Sequence, residues 1–305
     1  MRLVVNATAY GDPPGGAGLR ARHLYGALRG HRLLFCIAAD TPPDLVPPGA
    51  EVRRLPVRAA HRWRRLLRLR LPEEGDLLLT DHYPVGRIPT LITLHDLGGS
   101  RPRRAWIRRN ARRAAGVVAV SRAVARAFGV EATVVPGGFQ PPAEPPRSDS
   151  GGEPYLLFSD PALRHKNAPV ARHAARRVGL ALREVGRGAR WLDRNDMNAA
   201  VAGARAVLCP SLGEGFGLVA LEAMALGVPV AASDLPAHRE VLGEVGFYAP
   251  PGDAAAFAVA VEQALACGPG RRERGRERAR AFTWQRAAER LEEAIARAGE
   301  RRASG

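Results

Sequence analysis

The sequence predicts an α/β protein made of two doubly wound domains, each built on a parallel sheet. Short apolar runs alternate with helix-like segments along both halves of the 305-residue chain, which is the pattern of parallel α/β sheets. A segment rich in proline, glycine and serine separates the two series. The predicted parts are a first domain over 1–140, a linker over 141–153, a second domain over 154–282, and a C-terminal helix and tail over 283–305.

The elements of the first domain follow from its apolar runs and turn residues. Strands are predicted over 2–7, 33–39, 51–57, 76–80, 90–94, 117–120 and 133–135, and helices over 19–28, 61–71, 105–115 and 122–128. Gly15 and Gly16 lie in the turn before the first helix, where the backbone can approach a ligand. His95 and Asp96 follow the strand over 90–94, at the end of the strand where open α/β sheets bind ligands.

The second domain repeats the alternation. Strands are predicted over 155–158, 181–185, 206–209, 228–230 and from residue 247, with helices ending near 178 and covering 197–204, 217–226 and 254–266. A charged helix follows, and a last helix carries Trp284, Ala288, Leu291 and Ile295 on one face. Asp196 is predicted to cap the helix over 197–204. No element is predicted between residues 235 and 246.

The stretch Ala206–Asp234 is predicted to hold the functional site. Its helix is apolar on every face except at Glu222, and a carboxylate on a buried helix needs a partner. Glu214 lies just before that helix, and if the helix begins near Phe216, Glu222 lies roughly 9 Å further along it at 1.5 Å per residue. The N–H groups of Gly215, Phe216 and Gly217 are expected to be free at the helix start, which favours an anion. A sugar–diphosphate–nucleoside has the matching shape.

The chain carries a net charge of +16, most of it in the first half, and Lys166 is its only lysine. A lone lysine among arginines suggests that a compact ammonium is required there. The positive charge favours an acidic, sugar or lipid-linked acceptor and peripheral contact with an anionic membrane.

Trp63 and Trp106 lie among arginines and are either membrane-surface anchors or core residues; the core interpretation is preferred for Trp106 only. Nucleic-acid binding is an alternative that no motif supports, so no nucleic-acid partner is predicted.

Composition also bears on location and cofactors. There is no run of about eighteen apolar residues and no signal-peptide pattern at the start. We therefore expect a cytoplasmic protein, with the inner membrane face as a peripheral location. Cys36, Cys209 and Cys267 are far apart and odd in number, so neither a disulfide framework nor a zinc site is indicated. No cofactor is predicted, and His238 is interpreted as an ordinary structural histidine.

Taken together, these segments resemble the GT-B-fold retaining glycosyltransferases of family 4, nearly from end to end. The segment GGAGLRARHLYGAL resembles the family's glycine loop and first helix, PTLITLHDL its strand ending in His-Asp, and VVPGGF the motif that closes its first domain. RHKN is similar to its phosphate-contacting loop. PSLGEGFGLVALEAMALGVPVAASD is similar to its two-glutamate signature and is the most specific of these matches. The resemblance implies two Rossmann-like domains facing across a cleft, with the C-terminal helix crossing back to the first.

The resemblance also implies an activity: transfer of a hexose from a UDP- or GDP-linked sugar, with retention of anomeric configuration and without a metal. Glu214 would hold the donor sugar, Glu222 the ribose and Lys166 the diphosphate. Catalysis would consist mostly of charge stabilisation and positioning. Further implied contacts are His95 with the donor sugar, Gly15 and Gly16 closing over it, Gly215, Phe216, Gly217 and Leu218 beside the donor, and Asp96 near the acceptor.

One departure from the family pattern affects the phosphate site. The family usually places Gly-Arg five residues before the lysine, where this chain has Asp160 and Pro161. Arg164 is the candidate replacement for the missing cation. Asp160 would repel a diphosphate unless its carboxylate points away. The same departure motivates an alternative function, a GT-B protein that binds a nucleotide sugar or assists a partner without catalysing transfer.

Overall fold

The computed structural model describes residues 1–10, 16–42, 45–57, 71–72, 74–81, 88–97, 99–142 and 153–303. The chain forms two compact units: unit 1 consists of Met1–Gly138 and Trp284–Gly305, and unit 2 of Phe139–Thr283. The predicted helix over 61–71, with Trp63, and the predicted linker over 141–153 lie almost wholly outside the described residues.

Unit 1 contains a seven-stranded sheet in the order β3-β2-β1-β4-β5-β6-β7, with every neighbouring pair parallel. Its strands are Arg2–Asn6 (β1), Arg32–Ala38 (β2), Glu51–Leu55 (β3), Leu77–Asp81 (β4), Thr90–Leu94 (β5), Gly116–Ala119 (β6) and Thr133–Val134 (β7). Its helices are Gly16–Gly26 (α1), Arg101–Ala111 (α2), Arg122–Phe128 (α3) and Trp284–Ala303 (α10).

The burial of these strands explains why the apolar runs predicted them. Every residue of β5 is buried, as expected for a strand covered on both faces of a parallel sheet. The edge strand β3 is mostly exposed and carries two arginines, which discourages further strand pairing. Helix α10 buries Trp284, Ala288, Leu291 and Ile295, the same face that the sequence predicted.

Unit 2 contains a five-stranded sheet in the order β12-β11-β10-β8-β9, also with parallel pairs. Its strands are Tyr155–Ser159 (β8), Ala181–Val185 (β9), Ala206–Cys209 (β10), Val230–Ser233 (β11) and Phe247–Ala249 (β12). Its helices are Ala168–Val178 (α4), Arg194–Gly203 (α5), Leu218–Ala225 (α6), Pro236–Leu242 (α7), Ala254–Leu265 (α8) and Pro269–Ala279 (α9), with 3₁₀ turns at Arg164–Lys166 and Gly243–Val245.

Several details of unit 2 differ from the sequence prediction. Strand β11 covers Val230–Ser233, so it begins at the last residue of the strand predicted over 228–230, because Pro229 has no N–H for the ladder. The N-cap of α5 is Asp193, not Asp196: the Asp193 carboxylate accepts from the N–H of Asp196 at 2.8 Å. A cap bonds the N–H two or three residues ahead, so Asp196 is the recipient of the cap. Helix α7 was not predicted. It begins with Pro236 in its first turn and ends at Gly243, whose φ is +56°, and both residues are normal helix-end signals.

Candidate functional site

Three neighbouring strands of unit 2 place the candidate residues at one edge of the sheet. Strands β8, β10 and β11 are adjacent and parallel, so the segments that follow them start side by side. Lys166 follows β8, Glu214 follows β10, and His238 lies on the helix that follows β11. The carboxyl edge of the sheet therefore collects three titratable side chains, as open α/β sheets do at ligand sites.

The loop after β8 is held in place by backbone contacts. Asp160 has a left-handed φ of +56°, its N–H donates to the Val185 carbonyl at 2.8 Å, and its Oδ1 accepts from the Arg187 N–H at 2.9 Å. Asn167 is also left-handed, with φ +61°, and ends the 3₁₀ turn that carries Lys166. Both residue types tolerate this conformation. The Asp160 carboxylate is thus committed to the loop that follows β9.

Lys166 and Glu214 form a direct ion pair. The Nζ of Lys166 donates to Oε2 of Glu214 at 2.7 Å, and the two side chains are 18% and 15% exposed. The N–H of Leu212 donates to the His165 carbonyl at 2.7 Å, which ties the two loops together. Ser211 makes a longer contact with Oε2, at 3.4 Å. The structure therefore brings the two predicted charged residues together.

The electrostatics of the pair keep both groups ionised. Burial opposes the charge on Glu214, but the Lys166 ammonium outweighs it, and the pKa of Glu214 is lowered. Burial likewise opposes the charge on Lys166, and the Glu214 carboxylate reverses this, so the pKa of Lys166 is raised. Asp160 adds a smaller contribution of the same sign at Lys166. A charged, water-poor pair of this kind can bind polar and anionic groups strongly.

The second predicted carboxylate, Glu222, has a different partner. It is 4% exposed on α6, and its Oε1 accepts from the Arg194 guanidinium at 2.8 Å. Arg194 also donates to Asn198 at 3.1 Å. Burial raises the pKa of Glu222, and the charge and hydrogen bond of Arg194 limit that rise. Among the described residues, only Oε1 has a hydrogen-bond donor, so Oε2 can accept from a ligand hydroxyl.

The loop between Glu214 and α6 matches its prediction in part. The N–H of Gly215 donates to its neighbour Glu214 at 3.3 Å, so this group, expected to be free, has a partner. Phe216 is buried, with its ring 6.0 Å from that of Phe282. Gly217 caps α6 with φ +96°, and the helix begins at Leu218 rather than at Gly217. Arg164 is exposed, and no described residue forms an ion pair with it.

Unit 1 has a separate cluster of polar side chains at the ends of β4 and β5. Asp81 and Thr93 are register partners in these parallel strands, so His95 comes next to Asp81. The Nε2 of His95 lies 2.6 Å from Oδ1 of Asp81, and the Tyr10 hydroxyl donates to Oδ2 at 2.6 Å. Burial and the neighbouring Asp81 charge raise the pKa of Tyr10. In neutral His95, the carboxylate places the proton on Nε2.

No described contact joins the other predicted site residues of unit 1 to the Tyr10–Asp81–His95 cluster. Gly16 is exposed at the start of α1, and Asp96 is exposed after β5. Gly15 lies outside the described residues. Trp106 is half-buried against a cluster containing Val4, Leu34 and Leu78, so its body packs in the core of unit 1, as preferred from the sequence.

Sequence reasoning missed four residues that complete these sites: Tyr10, Asp81, Arg194 and Ser211. A buried carboxylate at Glu222 predicts a cationic partner, but the sequence does not show which arginine it is. Asp81 directly follows the buried strand predicted over 76–80, as His95 follows the strand over 90–94, and this shared position was the one available signal for the Asp81–His95 pair.

The described residues contain neither a cluster of metal ligands nor a helix suited to span a membrane. They contain no group of three or more His, Cys, Asp or Glu side chains arranged to hold a metal ion. None of the helices within the described ranges is long and apolar enough to cross a membrane.

Comparison with known sequences finds a family match within the second unit and similarity to two mannosyltransferases. The family model described as "Glycosyl transferases group 1" matches residues 167–267. The phosphatidyl-myo-inositol mannosyltransferase of Mycobacterium leprae (strain TN) is 53% identical over 66 residues, which are 21% of this chain and 18% of that protein. The O-antigen chain mannosyltransferase B of Escherichia coli is 39% identical over 98 residues, 31% of this chain and 26% of that protein. The matches thus span about a fifth to a quarter of these relatives.

Comparison with solved structures covers nearly the whole chain. Sucrose-phosphate synthase from Thermosynechococcus elongatus is similar with a TM-score of 0.73 and 20% identity, over 97% of this chain and 98% of that one. Anabaena HepE, in complex with UDP and glucose, has a TM-score of 0.74 and 18% identity, over 97% of this chain and 99% of that one. At such identities the likeness concerns the fold, and it confirms the two-domain α/β architecture expected from the sequence.

Proposed function

We propose that the protein transfers a hexose from a nucleotide-diphosphate sugar to an acceptor, because residues 167–267 match the family model of group 1 glycosyltransferases and the fold matches that of GT-B neighbours. The observation that carries the proposal is the arrangement around α6. A Lys166–Glu214 pair lies before the helix and a second buried carboxylate, Glu222, lies on it. Such a site offers acceptors for hydroxyls at two points, with a cation beside each of them.

Each side chain has a chemical task in this proposal. Glu214 accepts hydrogen bonds from the donor sugar, and Glu222 accepts from the ribose through Oε2. Lys166 has three N–H donors and uses one on Glu214, so it can also donate to a phosphate oxygen. As the sugar–phosphate bond breaks, negative charge grows on the diphosphate, and the ammonium stabilises that charge. Arg164, exposed on the same 3₁₀ turn, supplies the second cation.

The similar proteins support the substrate class. Two of them are mannosyltransferases, and the HepE structures contain UDP, glucose or UDP-glucose. From the family resemblance of the sequence we infer a UDP- or GDP-linked hexose as donor, with retention of anomeric configuration and no metal in the reaction. In this proposal His95 contacts the donor sugar, and its Asp81 partner fixes the proton on Nε2.

The experiment is a donor screen with the purified full-length protein. UDP- and GDP-linked glucose and mannose are incubated with simple sugar and lipid-linked acceptors, and nucleotide release is measured with and without acceptor. We expect acceptor-dependent release from one donor, and nuclear magnetic resonance should show a product with the donor's anomeric configuration. An inverted product would refute the retaining mechanism. Absence of release from every donor would refute the transferase.

A nucleotide-sugar-binding protein without transferase activity is the second candidate, motivated by Asp160 in place of the usual phosphate-site residues. The contact of its carboxylate with the Arg187 N–H weighs against this candidate, because it ties the Asp160 side chain to the loop that follows β9. Donor binding without acceptor-dependent release in the same screen would support it.

A further inference from the structure

His238 is fully buried on α7, and one of its ring nitrogens is anchored. Its exposed fraction is 0%, and Nδ1 lies 2.8 Å from the carbonyl oxygen of Ser233. A carbonyl oxygen can only accept, so Nδ1 carries the proton and donates it. This contact joins α7 to the end of β11 and fixes the plane of the imidazole.

The other ring nitrogen has no assigned partner. Within the described part of the chain, Nε2 is buried and makes no hydrogen bond. Burial lowers the pKa of His238, and the attraction of the Glu214 charge only partly opposes this. The ring is therefore neutral near pH 7, and Nε2 presents a lone pair. A buried acceptor without a donor is unfavourable in a fold, so Nε2 calls for a partner.

The ring faces a small cavity at the candidate site. The cavity is lined by Ser159, Lys166, Ser211, Glu214, Gly217 and His238, among others. The space open to the centre of a water-sized sphere is about 10 Å³. That volume is close to the minimum that holds one water molecule, and the lining offers the polar partners a water needs. His238 also lies against the start of α6, because a Cβ added to Gly217 would be 3.3 Å from its Cδ2.

Glu214 has capacity for one more hydrogen bond. Its Oε2 accepts from Lys166 at 2.7 Å and from Ser211 at 3.4 Å. Its Oε1 has only the long contact of 3.3 Å with the Gly215 N–H. An ionised carboxylate accepts about four hydrogen bonds, so Oε1 can accept from a water in the cavity.

We propose that His238 is a positioning residue for Glu214, acting through one buried water that donates one proton to Nε2 and the other to the Glu214 carboxylate. The water would fix the side-chain rotamer of Glu214 through Oε1, the oxygen that Lys166 does not contact. The inference rests on the proposed function, because an oriented Glu214 matters most where it binds the reacting sugar. Its expected effect is therefore on turnover more than on nucleotide affinity.

Two substitutions separate the two ring nitrogens. In His238→Asn, the side-chain amide can still donate to the Ser233 carbonyl from near the Nδ1 position, but the acceptor at Nε2 is lost. In His238→Gln, the longer amide places an oxygen near the Nε2 position, and the contact with Ser233 is lost. The first change tests the water bridge, and the second is its matched control.

With the full-length protein and its best donor, we expect His238→Asn to lower kcat about 10- to 100-fold, a range typical for residues that orient a functional group. Its affinity for free UDP or GDP should stay within about twofold of wild type. His238→Gln should recover part of kcat although it unfolds at a lower temperature. If His238→Asn turns over normally, or if kcat in both variants simply follows thermal stability, the proposal is wrong.

A second measurement does not depend on activity, so it separates failure of this proposal from failure of the proposed function. A high-resolution crystal structure should show one water within hydrogen-bond distance of both Nε2 and the Glu214 carboxylate, and nitrogen chemical shifts should report the Nδ1–H tautomer. A dry cavity or a protonated Nε2 would overturn the proposal even in an active enzyme. A wild-type protein that releases no nucleotide would overturn the transferase instead.

Discussion

At the level of single residues, each carboxylate of the candidate site in unit 2 has its own cation. Lys166 pairs with Glu214, and Arg194 pairs with Glu222. Two neutral pairs lower the cost of burying four charges, yet they leave lone pairs on the carboxylates for ligand hydroxyls. The arrangement explains how glutamates can persist in apolar surroundings and still bind a polar molecule.

Removing the cation of the first pair should destabilise the fold. In Lys166→Met, Glu214 is left buried without its counter-charge, and we expect a loss of about 3–5 kcal/mol in the free energy of unfolding. Urea denaturation measures it. The matched control is Arg276→Met, which breaks the exposed Arg276–Glu273 pair, with side chains 45% and 50% exposed, and should cost under about 1 kcal/mol. Equal losses of unfolding free energy in the two variants would show that the Lys166–Glu214 pair contributes no more to stability than an exposed pair does.

The lowered pKa of His238 predicts how stability depends on pH. In the unfolded chain a histidine binds a proton below about pH 6.5, whereas the folded protein keeps His238 neutral there. The unfolded state therefore binds more protons, and stability falls as pH drops from about 7 to 5, by at most about 1.4 kcal/mol per pH unit for one group. His238→Asn should show a shallower slope in urea melts over this range. An unchanged slope would mean that His238 titrates normally in the fold.

At the level of elements, the start of α6 depends on a glycine that also lies against His238. Gly217 has φ +96°, which strains any other residue, and a Cβ there would meet the His238 ring at 3.3 Å. Gly252 is also left-handed, at φ +84°, but its nearest neighbour, Leu212, would be 3.8 Å away.

We therefore expect both Gly217→Ala and Gly252→Ala to be destabilised by about 1–3 kcal/mol from backbone strain. Only Gly217→Ala should also weaken turnover, because it displaces α6 or His238. Thermal melts and donor kinetics on the two variants measure these effects. Equal kinetic losses would contradict a specific role for the Gly217 contact.

Helix α2 provides the element-scale test of the membrane hypothesis. Arg109 and Arg113 are exposed at and just after the end of this helix, four residues apart, and each basic residue near an anionic surface contributes about 1 kcal/mol. We expect the protein to float with phosphatidylserine-containing liposomes at low salt, and Arg109→Glu/Arg113→Glu to reduce flotation. Arg274→Glu/Arg280→Glu, which makes the same change in net charge in exposed residues of unit 2, should not. No flotation of wild type would refute membrane contact.

The elements were predictable to different degrees, for physical reasons. Strand β5 and the segment from β10 to β11 could be predicted from apolar runs bounded by proline and glycine. A strand buried on both faces of a parallel sheet consists almost entirely of apolar residues. Helix α7 was missed because it is short and mixes polar with apolar residues, so it has no clear period. Because this helix was not predicted, His238 was interpreted as an ordinary histidine. Only the helix places its ring near Glu214.

At the level of the whole molecule, the residues that pair across the sequence were the hardest to foresee. The Tyr10–Asp81 and Arg194–Glu222 contacts join positions 71 and 28 residues apart, and no local pattern encodes them. They arise because parallel strands bring their carboxyl ends to one edge of each sheet. The sequence could show that Glu222 needs a cation, but only the fold selects Arg194 among so many arginines.

The central claim, that the carboxylates around α6 bind a nucleotide-sugar donor and that Glu222 holds its nucleotide part, has one direct test. Isothermal titration of the full-length protein with UDP and with GDP should show one nucleotide binding with 1:1 stoichiometry. In Glu222→Gln its affinity should fall at least about tenfold, or about 1.4 kcal/mol, whereas Glu273→Gln, on the exposed face of α9, should bind within about twofold of wild type. Binding of neither nucleotide, or equal affinity in all three proteins, would contradict the account.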